Sequence, residues 1–166
     1  MRWTCSRCGA EHEGIPLDWA YDAPAYWDGE KTEDDLLTED LCTLRDDEPK
    51  LNFFIRGVLE IPIEGTDERL GYGVWSTLSK DSFERVVHLW DDPARTEEPP
   101  YFGWLSNSLP GYPETLSLPL DVVVQELEKR PLFVLHEGDH PLIEEQQRGI
   151  SMARVQEIAE LNMHED

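Results

Sequence analysis

Cys5 and Cys8 are separated by two residues, and Gly9 follows the second of them. A tight turn with that spacing directs two sulfurs at one point in space, the arrangement zinc takes from a Cys-x2-Cys knuckle. Glycine after the second cysteine accepts a positive φ and leaves backbone N–H groups free to face the sulfurs. His12, in the polar return, and Cys42, on a short apolar stretch farther along, are the residues expected to complete a tetrahedron, with His140 as the substitute for the fourth place. Four protein ligands make a closed, structural zinc site. Three ligands and a water would make a catalytic one, for which Glu11 or Glu13 would have to serve as base. The closed site is the expectation. The second Cys-x2-Cys half of a zinc ribbon is missing, so a pair of reduced, metal-free cysteines is the plain alternative. A thioredoxin-like redox pair would require a helix to begin at the motif, which Gly9 and Gly14 oppose.

A second group of residues could line a ligand cleft. Arg56 sits in an apolar stretch before Gly57, where its guanidinium would pair with Glu60 or meet a ligand carboxylate or phosphate. Trp75, Tyr101 and Trp104 fall on expected strands, and aromatics there either fill a core or stack on a ligand. His140, beside Asp139 and near Glu144 and Glu145, is the candidate acid–base group, although a histidine before proline is more ordinarily a helix-start residue. His88 falls beside the apolar face of a helix and carries no role. The sequence holds no Gly-x4-Gly-Lys phosphate loop, no Gly-x-Ser-x-Gly elbow and no His-Glu-x2-His helix.

These residues belong to a chain of 166 residues, a length suited to one domain, with residues 1–14 as a small metal knuckle packed on it. Thirty-six acidic against fourteen basic residues give a net charge of −22, which repels a phosphate backbone and argues against nucleic-acid binding. No apolar run is long enough for a membrane helix, and the first residues lack the apolar core of a signal peptide, so a cytoplasmic, membrane-free protein is expected. Three cysteines without a secretory signal suit thiols or metal ligands better than a disulfide framework.

The elements that must position these groups are legible by period. Asp22 and Pro24 suggest a short helix ending near Gly29, with Tyr26 and Trp27 turned inward. The acid-rich stretch from Asp28 to Asp47 reads as an exposed connection interrupted by a strand at 41–44. Leu51–Ile63 is a long strand with Gly57 marking a bulge, and 72–78 is its hairpin partner. Ser79 caps a helix whose Phe83, Val86, Val87 and Trp90 form one apolar stripe. Strands are expected at 101–106, along the alternating residues from Leu116 to Val124, and at 132–135. A helix from His140-Pro141, a break at Gly149 and a helix capped by Ser151 close the chain. Strands in the middle with helices interrupting or following them predict an α+β fold with a largely antiparallel sheet, two or three helices and the amino-terminal knuckle hairpin.

Cys5-x2-Cys8-Gly9-x2-His12, Phe53-Phe54-Ile55-Arg56-Gly57 with Glu60-Ile61-Pro62, Gly73-Val74-Trp75 and Pro100-Tyr101-Phe102-Gly103-Trp104-Leu105 together resemble the bacterial domain-of-unknown-function family number 2199. Leu109-Pro110-Gly111-Tyr112-Pro113 and Asp139-His140-Pro141-Leu142 extend the resemblance over nearly the whole chain. It implies a bacterial identity, and no activity, substrate or catalytic residue.

Three functional readings follow. The first is a zinc-stabilised, non-catalytic domain that binds a partner, a cationic protein steered by the acidic surface. The second is a small metal- or carboxylate-dependent enzyme with its cleft near Arg56, Trp75, Trp104 and His140. The third, resting on charge alone, is an acidic antitoxin-like inhibitor of a basic active site.

Overall fold

The computed structural model describes residues 2–27, 33, 35–46 and 50–164. Its centre is the hairpin of β6 (Leu51–Pro62) and β7 (Arg69–Leu78), whose register runs unbroken from Phe53 opposite Leu78 to Pro62 opposite Arg69. β-Branched and aromatic residues recur along both strands, and one face of the pair, with Ile55, Leu59, Ile61, Tyr72 and Val74, is buried. The expected bulge at Gly57 is absent. Glycine is needed there because a Cβ would lie 2.4 Å from the Phe133 ring.

β5 (Leu41–Arg45) pairs antiparallel with the first half of β6, and β4 (Leu36–Leu37) pairs with β5. Beyond this, β10 (Leu132–Leu135) takes the same edge of β6 in parallel, touching it at Leu132 opposite Val58. β9 (Pro119–Val123) and β8 (Tyr101–Trp104) follow antiparallel, so the order is β3-β7-β6-β10-β9-β8, with β3 (Asp18–Ala20) parallel to β7. Most pairings are antiparallel, as expected. The far edge also returns: Leu105 bridges Ser76, and the Ser106 N–H donates to the Trp75 carbonyl at 2.8 Å, so the sheet curls back on itself. Gly103 permits this approach, since a Cβ would lie 2.1 Å from Ser76 Oγ.

The described residues include three α-helices. α1 (Lys80–His88) begins where Ser79 Oγ accepts from the Ser82 N–H, and Phe83 packs on Phe53 with ring centres 4.8 Å apart. Only Val86 of its stripe is buried. Val87 is exposed and Trp90 lies past the last turn, because the sheet covers one edge of a helix only nine residues long. α2 (Pro141–Arg148) ends at Gly149, whose φ of 87° no L-residue adopts cheaply. α3 (Met152–Met163), capped by Ser151, buries Val155, Ile158 and Ala159.

Two expected elements differ. The helix at 24–29 is absent over its described residues, where Asp22–Trp27 form bends and a turn; residues 28 and 29 lie outside the described set. Tertiary bonds take the groups a helix would use: the Ala25 N–H donates to the Ser106 carbonyl and Asn107 Nδ2 donates to the Ala23 carbonyl. Tyr26 is correspondingly exposed, while Trp27 packs against the Cys42 cluster. The long strand from Leu116 begins only at Pro119, because Ser117 takes φ 69° and breaks the alternation.

Candidate metal centre

β1 (Arg2–Thr4) and β2 (Glu11–Glu13) form a separate antiparallel ribbon in which Trp3 faces His12, ring centres 4.8 Å apart. The turn between them carries Cys5 and Cys8. Gly9 adopts φ 72°, as its place in a knuckle requires, and its N–H donates to the Cys5 carbonyl at 2.8 Å. One ligand atom each from Cys5, Cys8 and His12 lies within 4.8 Å of the others. The motif therefore sits in a hairpin turn and starts no helix, which removes the thioredoxin-like geometry.

Zn–S bonds of about 2.3 Å and Zn–N bonds of about 2.0–2.1 Å at tetrahedral angles put ligand atoms roughly 3.3–3.8 Å apart, so the three need close in only slightly around an ion. The donor set fits. His12 Nε2 is buried with no hydrogen-bond partner among the described residues, a state that a ligand would relieve. Burial alone would push the Cys5 thiol up, yet the N–H groups of Cys8 and Arg7 face it and, with the Cys8 side chain, hold it below its ordinary value. A thiol biased toward thiolate is a thiol prepared for a cation.

Neither residue expected in the remaining place joins the three. Cys42 is fully buried on β5 in a different cluster, with Leu44, Phe54 and Trp75. His140 caps α2: its Nδ1 accepts from the Leu142 N–H, which leaves Nε2 protonated and donating to the Pro113 and Glu114 carbonyls. Both ring nitrogens are occupied, so this histidine is neither a metal ligand nor a free base. Sequence reasoning missed a different histidine. His164, at the end of α3, places Nε2 3.1 Å from Cys5 Sγ.

That approach is fastened by three further contacts. Ser6 gives its N–H and hydroxyl to the two oxygens of Glu160 at 2.8 and 2.5 Å, Arg7 donates to the His164 carbonyl at 2.6 Å, and Gln156 donates to the Thr4 carbonyl at 3.2 Å. Trp3 and Cys5 pack on Ala159 beneath them. The Ser6 contacts hold the Glu160 carboxyl below the usual carboxylate range. No spacing rule links a helix end to a knuckle so distant in sequence.

With the fold and these residues in view, comparison with known families is decisive. Residues 4–150 match the family described as an uncharacterized protein conserved in bacteria, domain of unknown function 2199. The chain belongs to this family. No curated protein and no solved structure matches it. In this family member Cys5, Cys8 and His12 lie inside the matched segment, whereas His164 and all of α3 lie beyond it.

The expected cleft does not assemble as one site. Trp75 is fully buried core, its indole N–H donating to the Tyr21 carbonyl at 2.9 Å, although it stands opposite Arg56 across the hairpin. Trp104 is exposed on β8, and His140 is spent on α2. Arg56 and Tyr101 do share a cavity of about 630 Å³ between β6, the end of α1 and the β9–β10 connection. Arg56 and Glu60 form no ion pair among the described residues. Arg95, which sequence reasoning did not single out, is buried and gives its guanidinium to the carbonyls of Trp90, Gln125, Glu126 and Lys129.

Proposed function

We propose that this protein is a metal-stabilised, non-catalytic domain that binds a cationic protein partner in the bacterial cytoplasm, with structural zinc held by Cys5, Cys8, His12 and His164. Zinc in a closed set of four protein ligands carries no open position for substrate, so its work is to pin the amino-terminal hairpin to α3. His164 is our candidate for the closing place; its 3.1 Å distance to Cys5 supports it, and it would have to move in toward Cys8 and His12, which with Cys5 form the group of three.

The observation that carries the binding reading is a cluster of exposed aromatic and apolar side chains on the outer face of the sheet, set around the Asp121–His136 pair. Phe102 stands opposite Asp121, which stands opposite Val134, and Trp104 lies two residues from Phe102 on the same face. Phe102, Trp104 and Val134 are 47, 45 and 47 % exposed, and the Phe102 ring meets Trp104 edge-on at 4.9 Å and His136 at 5.4 Å. Grouped exposed aromatics on neighbouring strands are the usual anchor of a protein contact. A charge of −22 opposes pairing with a second copy and favours a partner of opposite sign.

The test is titration of a basic amphipathic peptide, alternating Lys and Leu, into the full chain, followed by fluorescence and calorimetry. Saturable binding that weakens with salt and is lost in Phe102→Ser/Trp104→Ser supports the reading. Equal binding by that variant, or sedimentation showing that the patch joins two copies of the chain, rejects it.

A further inference from the structure

Arg56 is 8 % exposed on β6 and lines the cavity, and its Nε has no hydrogen-bond partner among the described residues. Among the described residues its side chain makes one hydrogen bond, a long one, 3.3 Å from Nη1 to the Glu39 carbonyl. A buried guanidinium without an anion costs several kcal/mol by the general balance of desolvation, and such a charge is retained where something completes it.

The other cations at this cavity are already matched. Arg95 is saturated by four backbone carbonyls, Arg130 pairs with Asp40 at 2.8 Å, and Lys129 pairs with Glu126 at 2.8 Å. Among the described residues of the cavity wall, Arg56 is thus the cation whose fork is open. Ile55, Val58, Val86, Leu89 and Leu127 supply the apolar part of the remaining wall, beside the polar Tyr101 and Gln125. Asp91 and Glu128 also stand at the wall and repel a second negative charge.

We propose that this cavity binds a small monocarboxylate with an apolar body, its carboxylate on the Arg56 guanidinium and its hydrocarbon along Val86, Leu89 and Leu127. One open guanidinium matches one carboxylate. A phosphate monoester would bring a second charge into a site bordered by acids on a chain of −22. The site is separate from the metal centre and from the patch on β8 and β10, so it stands whether or not either of those readings does.

The experiment uses the full chain and three probes with one tail: octanoate, octan-1-ol and octyl phosphate, titrated by calorimetry with the Arg56 Nε–Hε resonance followed by NMR. Octanoate binds, its carboxylate shifts that resonance, and the alcohol and the phosphate bind roughly tenfold to hundredfold more weakly, the range for loss of one charge-assisted hydrogen bond. Arg56→Met, which keeps the length and removes the charge, abolishes the preference for carboxylate without lowering the melting temperature. Should that variant not fold, Leu127→Trp fills the cavity and abolishes octanoate binding with Arg56 intact. Equal affinity for octanoate and octanol, an unmoved Arg56 resonance at saturation, undiminished binding by Leu127→Trp, or no octanoate binding at millimolar concentration each overturns the proposal.

Discussion

His164 Nε2 lies 3.1 Å from Cys5 Sγ, joining two residues 159 positions apart at the point where the last helix ends and the first turn begins. Around them Ser6 and Glu160, Arg7 and His164, and Gln156 and Thr4 form a belt between the knuckle and α3. This makes the amino-terminal hairpin and the carboxyl-terminal helix one mechanical unit.

Elemental analysis of the purified chain should therefore find about one zinc per molecule. Cys5→Ser should lose it, and His164→Ala should hold it about tenfold or more weakly in a chelator competition. Cys42→Ser should keep it, because that thiol packs with Leu44, Phe54 and Trp75. Metal loss in Cys42→Ser with full retention in His164→Ala would reverse the assignment.

The same belt should respond to acid. The Glu160 carboxyl is held low by the Ser6 hydroxyl and then by the Ser6 N–H, against the opposing effect of burial. A group depressed in the folded state stabilises it above the unfolded value and loses that contribution as pH falls through the folded one. Protection of the Ser6 amide from exchange should drop below about pH 4, near the unfolded glutamate value. Glu160→Gln should start with weaker protection and show no such step.

Gly57→Ala should destabilise the chain by roughly 1–3 kcal/mol in denaturant unfolding, the usual cost of overpacking. Its new Cβ would meet Phe133 at 2.4 Å. Phe133→Leu should recover part of that loss when combined with it, so the two changes should be less than additive. A Gly57→Ala chain as stable as the wild type would contradict the close approach.

Arg95→Met should cost about 3 kcal/mol or more, since it strands carbonyls of Trp90, Gln125, Glu126 and Lys129 that one guanidinium serves. Arg95→Lys should recover little of it, because an ammonium cannot span that fan. Hydrogen exchange should locate the loosening in residues 124–131.

Much of this molecule was legible along the chain because its signals are local. The Cys5–Cys8 turn, the positive φ of Gly9, the β6–β7 hairpin, the Ser79 and Ser151 caps and the break at Gly149 each depend on residues a few positions apart. The α+β class followed from them, and so did the place of His12 in the return of the knuckle. What the fold alone decided was which distant groups meet. Ala25 gave its N–H to Ser106 instead of to a helix, Gly57 made room for Phe133 where a bulge was expected, and Cys42 went to a second core. His164 came to Cys5 because α3 docks on the hairpin through Ala159, and Arg56 was left open while Arg130 took Asp40 and Lys129 took Glu126. Periodicity and capping act within a few turns of chain, whereas the meeting of His164 with Cys5 and an unmatched charge are set by packing among segments that share no sequence neighbourhood.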